Sequence, residues 1–347
     1  MVSRLFLSAI ALSLAFPLPA LAEGDPIVIA HRGASGERPE HTLAAYELAI
    51  EQGADYIEPD LVVTKDLVLV SRHENELSGT TDVASREEFE DRRRDKMIDG
   101  QRIAGWFAED FTLAELRTLR AKERVPNARP GNVRYDGLYQ VPTLAEIVKL
   151  KRAKEAETGR SIGLYPELKH PTFLLEEAGI DVVDLLLREL RDLGIGPEDP
   201  IYIQSFEVGV LQRLNRRSDY KLVQLIRDEG GPADEPDMRY SEMISPSGLE
   251  EITAYADAIG PWLGHVVRPD GSITSLVADA KKVGLKVHPW TLRKENGFLP
   301  AALQGSGGPS ADGGYRALWR AAISSGADGF FTDNVKEFVE LARQAND

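Results

Sequence analysis

The run Asp55-Tyr56-Ile57-Glu58-Pro59-Asp60-Leu61 is followed, after a short break at Thr64-Lys65-Asp66, by Leu67-Val68-Leu69-Val70-Ser71-Arg72. Both runs carry apolar residues in the pattern of strands. Their connection decides the fold. A parallel crossover needs a dozen or more residues, so strands this close can only pair as an antiparallel hairpin. The second run is then an extension above the sheet and drops out of the count of parallel strands. Eight apolar runs remain, at 27–30, 55–61, 162–168, 201–204, 221–226, 256–260, 285–290 and 328–332. Amphipathic stretches lie between them at 41–52, 143–157, 173–193, 207–215, 272–282 and 315–324, with another at 335–344 and a short one at 248–255. Strands alternating with helices predict βα units around a parallel sheet. Thr112 with Glu115, and Thr143 with Glu146, have the capping-box form that opens a helix. Eight such units predict an α/β fold, a TIM (β/α)₈ barrel with an insertion after the second barrel strand.

The insertion is residues 75–140, which do not fit the repeat. It follows a strand, so it packs over the face where barrel active sites lie. Its charge run at 86–96 reads as a solvated helix face. Two further strand-following loops are long: 228–247 is acidic, and 295–314 holds six glycines. Neither has the Gly-Lys-Ser/Thr ending of a nucleotide-binding loop, and both read as mobile rim.

Composition sets the outer bounds. The chain has 347 residues, 42% hydrophobic and 28% charged, which is enough for one sizeable core. Residues 1–22 carry a single charge, Arg4, then twelve apolar or small residues from Leu5 to Phe16, and end Pro19-Ala20-Leu21-Ala22. This is the form of a secretory signal cleaved after Ala22, and the run is short of the ~20 residues that span a bilayer. The remaining 23–347 form the barrel domain. With no cysteine, the chain needs no disulfide and has no thiol for a lipid anchor. A periplasmic or secreted protein without a stable membrane anchor is expected. The net charge is −15, and loss of Arg4 leaves 40 basic against 56 acidic residues, or −16. That balance excludes nucleic acid and anionic membrane as natural partners. An anionic substrate would need local cations, such as a bound metal with a few Arg or Lys.

Four strand ends carry chemistry. The first strand closes on Ala30-His31-Arg32-Gly33, an arginine beside a glycine that allows close backbone approach, suited to an anion. Glu58 and Asp60 are two apart on a strand and share one face. Two carboxylates aimed into a barrel suit a hard divalent cation, although salt bridges at the rim would also hold them. Tyr165-Pro166-Glu167-Leu168-Lys169 ends the next barrel strand, where Glu167 can add a third carboxylate and Lys169 can reach a phosphate. Ser71-Arg72-His73-Glu74 brings a second histidine to the same rim, and two histidines flanking a phosphate can divide acid and base work. Gln204, Phe206 and Trp290 also lie at strand ends and are candidates to touch substrate. His288 could share the face of Trp290. His41, His170 and His265 read as structural, with His41 helping to start its helix.

Taken in order, His31-Arg32-Gly33, Pro39-Glu40-His41-Thr42, Glu58 and Asp60 with Thr64-Lys65-Asp66, His73, Glu167 with Lys169, and Gly326-Ala327-Asp328-Gly329 resemble the glycerophosphodiester phosphodiesterase family, in particular its longer periplasmic members. The resemblance spans roughly residues 26–340 and includes Ala34-Ser35-Gly36-Glu37-Arg38 before the Pro39 motif. It implies His31 and His73 as the acid–base pair and Glu58, Asp60 and Glu167 as ligands of one divalent metal. Arg32 and Lys169 become the phosphate-contacting cations. Calcium is the metal it implies first, with magnesium as the alternative. The resemblance implies a small glycerophosphodiester as substrate, split to sn-glycerol 3-phosphate and an alcohol through a cyclic phosphate. Glu74 departs from the aspartate that much of the family has after the histidine, and Pro59 also departs from many members. Two other readings stay open on the same barrel: a hydrolase of intact phospholipid, and a binding protein without turnover.

Overall fold

Pro59 and Pro166 each interrupt a barrel strand, because proline has no N–H to give the ladder. The computed structural model describes residues 25–344. In it the second barrel strand is Tyr56–Ile57 continued by Asp60–Val63, and the third is Gly163–Leu164 continued by Glu167–Leu168. The first strand, Ile27–Ala30, pairs in parallel with Tyr56–Ile57, and that pairs in parallel with Gly163–Leu164. Asp60 sits opposite Glu167, and Glu167 opposite Gln204 of the fourth strand, Tyr202–Ser205. The ladder continues in parallel through Lys221–Ile226 and Ala258–Pro261 to Lys286–Val287. The last strand, Gly329–Thr332, pairs in parallel with the first. It also closes on the seventh: the Asp328 N–H donates to the Val287 carbonyl at 2.9 Å, and the Phe331 N–H to the Pro289 carbonyl at 3.1 Å. The chain is therefore the (β/α)₈ barrel that its strand count predicts.

Alternation along the strands sorts the side chains into two layers. Ile29, Tyr165, Val223, Ala258 and Phe331 pack together inside the barrel, with Tyr165 stacked on Tyr202 at 5.2 Å. Their neighbours Val28, Ala30, Leu222, Ile259 and Phe330 belong to the larger core shared with the helices. His288 lies in the interior layer, its Nδ1 2.7 Å from the Tyr165 hydroxyl. It does not join Trp290 at the rim, because its ring is edge-on to Tyr165 and Tyr202 within the barrel.

Most predicted helices form, with three instructive differences. The stretch 173–193 is two helices, Pro171–Ala178 and Val182–Asp192. Gly179, at φ +67°, ends the first in the left-handed region, and the Asp181 carboxylate caps the second by accepting the Val183 and Asp184 N–H groups. The helix after the fifth strand is Pro246–Ile252, earlier than 248–255, since Ser245 caps it and Pro246 opens it. The first helix, Leu43–Glu51, is capped by the Thr42 hydroxyl, and His41 stands outside it at φ +54°.

Leu69–Ser71 pairs antiparallel with Asp60–Val63, as the short connection requires. Beyond it the chain builds a small core of its own from Val62, Val70, Leu77, Phe89, Trp106 and Phe111. The charge run 86–96 is not one helix face. Glu87–Arg92 is a 3₁₀ helix, and Arg94–Ile98 is a strand paired antiparallel with Gln101–Gly105. Alternation still places its charges outward, with Phe89 and Ile98 buried. No helix among the described residues is long and apolar enough to cross a membrane. The expected signal, 1–22, lies outside the described residues.

Candidate active site

The two interrupted strands create the site. Where Pro59 and Pro166 break the ladder, Glu58, Asp60 and Glu167 gather at the C-terminal end of the barrel. One oxygen from each lies within 4.8 Å of the others, and all three residues are buried. Each carboxylate is held by a partner. Glu58 accepts from the Arg32 backbone N–H at 3.0 Å and from Gln204 Nε2 at 2.7 Å. The Asp60 Oδ2 accepts from His41 Nε2 at 2.9 Å, and Lys169 Nζ lies 2.8 Å from Glu167 Oε1. The Asp60 Oδ1 is buried without a hydrogen-bond partner among the described residues.

Charge follows this geometry. Burial, with Asp60 and Glu167 alongside, pushes the Glu58 carboxyl well above its usual range. Burial also raises Glu167, to about 7, despite Lys169. At Asp60 burial is outweighed by Lys169 and His41, which hold the carboxyl well below the usual range. Three buried carboxylates with one orphaned oxygen form a donor set suited to a hard divalent cation.

His31 ends the first strand, and its Nδ1 lies 2.5 Å from Asp333 Oδ1. Asp333 is held by three donors, since the Arg129 and Arg293 cations also bond its other oxygen, Arg293 through Nε at 2.6 Å. Together they outweigh burial and keep Asp333 ionised. The Nδ1 of His31 therefore carries the proton, and Nε2 is left with a free lone pair. Burial and then Arg32 push the His31 pKa down to about 3, so the ring is neutral at neutral pH. His73 follows the hairpin strand, with the Glu74 carboxylate against its Nδ1, and burial lowers its pKa too.

Arg32 has φ +62°, and its Nε lies 3.5 Å from Asp60 Oδ2. It bonds both Glu40 oxygens at 3.3 Å. Gly33 follows at φ +84°, and a Cβ there would stand 2.6 Å from the Ala45 carbonyl carbon, so only glycine lets the first helix pack this close. His31, Arg32, Glu58, His73, Glu167 and Lys169 line one cleft of about 350 Å³. Gln204, Phe206 and Trp290 line it as well. Gln204 also serves Glu58, while Phe206 and Trp290 meet edge to face at 5.9 Å.

Five contributors escape a sequence reading. His41 is not merely structural: it is fully buried and links Asp60 to the Tyr46 and Ser71 hydroxyls, at 2.8 and 2.9 Å. Asp333 ends the last strand, so the strand-end rule that singles out His31 could have found it. Arg129, from the insertion, and Arg293 meet Asp333 only through tertiary contact. His170 lies between Asp99, at 2.7 Å, and Glu74, at 3.8 Å.

The sequence matches the Glycerophosphoryl diester phosphodiesterase family over residues 31–337. The chain belongs to this family. A glycerophosphodiester phosphodiesterase of Arabidopsis thaliana is 36% identical over 90% of this chain and 85% of its own length. One of Haemophilus influenzae is 33% identical over 92% and 91%. The protein is accordingly an enzyme of that class, a phosphoric diester hydrolase. Solved structures share the fold. A glycerophosphoryl diester phosphodiesterase of Silicibacter pomeroyi superposes with a TM-score of 0.67, at 23% identity, over 94% of this chain and 95% of its own. A phosphodiesterase of Oleispira antarctica, solved with the product sn-glycerol-3-phosphate, gives 0.60 at 20% identity over 92% and 97%.

Proposed function

We propose that the enzyme hydrolyses glycerophosphodiesters, such as glycerophosphocholine or glycerophosphoethanolamine, to sn-glycerol 3-phosphate and the free alcohol. The observation that carries this is the convergence of His31, His73, Arg32, Lys169, Glu58 and Glu167 on one cleft, with Asp60 clustered against the two carboxylates. The product held by the Oleispira antarctica relative supports the glycerol phosphate half.

Glu58, Asp60 and Glu167 would hold one divalent ion, calcium first and magnesium second, since all three offer hard oxygen donors. When bound, such an ion supplies charge neutralisation at the phosphate and lowers the pKa of a neighbouring hydroxyl. Arg32 and Lys169 bind the non-bridging phosphate oxygens and stabilise their charge as the phosphorus becomes five-coordinate. One histidine removes the proton of the attacking glycerol hydroxyl. The other donates a proton to the departing alcohol oxygen. The resulting cyclic phosphate is opened by water with the two roles exchanged. Asp333 keeps the His31 proton on Nδ1 and leaves Nε2 free to accept, while the histidine that donates does so as an imidazolium carrying a second proton; the Glu74 carboxylate lies against Nδ1 of His73. Residues 1–22 act as an export signal in this reading, and the mature enzyme works in the periplasm or outside the cell. Sequencing of its N-terminus should begin at Glu23.

The test is release of glycerol 3-phosphate from glycerophosphocholine by the purified enzyme with calcium, with magnesium and after chelation. Turnover lost on chelation and restored by one metal is expected. No release with either metal would sink the reading.

A further inference from the structure

His31 and His73 are each backed by a carboxylate, but the two carboxylates are anchored differently. Asp333 is 1% exposed and held by two arginines. The Glu74 side chain is 46% exposed and stands on a flexible stem next to His73. A carboxylate free to swing cannot fix a ring. One side chain restrains it. Oε1 of Glu74 lies against His73 Nδ1, and Oε2 lies 3.8 Å from His170 Nε2. The other ring nitrogen of His170, Nδ1, is 2.7 Å from Asp99 Oδ2. Carboxylate and imidazole thus alternate from Asp99 through His170 and Glu74 to His73.

The backbone presents both outer members of this chain. His170 follows Lys169 beyond the third strand at φ +48°, and its ring does not cap the helix that it precedes. Asp99 and Gly100, at φ +48° and +76°, form the two-residue turn that joins Arg94–Ile98 to Gln101–Gly105. Two successive positive φ values make a tight hairpin whose twist matches its strands. The tip of this hairpin is seated on the barrel. Ile98 is 1% exposed and, with Ile103, packs in the core shared by strands and helices, apart from the insertion's own core. Seating Ile98 there brings Asp99 to His170. Burial opposes charge on the His170 ring, but Asp99 and Glu74 outweigh it and raise its pKa to about 9. At neutral pH the ring is a cation with one N–H for each carboxylate. The insertion therefore reaches both acid–base histidines, with Arg129 through Asp333 and with Asp99 through His170.

We infer that Asp99 and His170 are positioning residues for His73, acting through Glu74. The inference rests on the proposed function, which gives His73 its part in acid–base catalysis.

The test measures kcat and KM for glycerophosphocholine, as glycerol 3-phosphate release, in Asp99→Asn, His170→Asn and Glu74→Ala with the metal that supports parental turnover. Asparagine tolerates a left-handed backbone, and part-exposed ion pairs add little stability, so the variants should melt within about two degrees of the parent. Asp99→Asn and His170→Asn should each lower kcat about tenfold, with KM and the calcium Kd within about twofold. Lys169 precedes His170, and a loss that ran through its phosphate contact would raise KM instead. On a Glu74→Ala background, His170→Asn should cost less than about twofold more, because the route to His73 is already cut. Nitrogen-15 NMR of histidine-labelled enzyme should show one His73 tautomer in the parent, protonated on Nδ1, and a mixture in the variants. A merely structural pair would leave that signal unmoved. Should His170→Asn unfold, Asp99→Asn on an exposed turn carries the same comparisons. Near-parental kcat in the single variants, losses that multiply with that of Glu74→Ala, or an unchanged His73 tautomer overturns the inference and leaves the proposed function standing. No release by the parent overturns both.

Discussion

Asp333→Asn isolates the group on which the His31 side of the site depends. The carboxylate is 1% exposed and bonded to His31, Arg129 and Arg293. The amide keeps the shape but removes the charge, and its NH₂ must face one of three donors. The buried Arg129 and the part-buried Arg293 lose their shared anion, and breaking a buried pair of the Arg129 kind costs about 3–5 kcal/mol. Urea unfolding at pH 7 measures that loss directly. The folded-state pKa of Asp333 is depressed, so its stabilisation is fully present above the unfolded pKa and is lost as pH falls through the folded value. The gap between parent and variant should therefore be constant at neutral pH and narrow below about pH 4. Turnover should fall as well, since the tautomer and orientation of His31 are no longer imposed. A drop in kcat between about 10² and 10⁴ is expected with glycerophosphocholine. A variant within about 1 kcal/mol of the parent and about threefold in kcat would refute the reasoning.

Other perturbations probe separate parts of the site. His41→Gln loosens Asp60 and should weaken calcium binding about 10–100-fold by titration calorimetry, and an unchanged Kd would remove His41 from the metal's support. His31→Ala and His73→Ala should each lower turnover at least about 10²-fold with calcium affinity retained; near-parental turnover in either would remove that residue from the acid–base pair. Gly163→Ala puts a Cβ 2.1 Å from the Tyr56 ring, so the variant should lose about 1–3 kcal/mol and melt several degrees lower. An unshifted Tm there would mean that the barrel interior can move aside.

The sequence alone determined the barrel and the facing of its strand-end carboxylates, because both follow from short-range rules. Strand runs alternate with helical ones, a connection too short for a crossover makes a hairpin, and Glu58 with Asp60 share a face by period two. The same rules fail where a local signal competes with a longer pattern. Gly179 cuts what reads as one helix, and alternation in Arg94–Ile98 turns a supposed helix face into a strand. Tertiary structure decided what supports the carboxylates and His31. Asp333 meets His31 from 302 positions away, and Arg129 reaches Asp333 from 204. His41 gains its role only because a left-handed backbone turn points it at Asp60. Such partners are chosen by the closure of the barrel and the seating of the insertion. No periodicity along the chain encodes a contact between segments that meet only after both have folded.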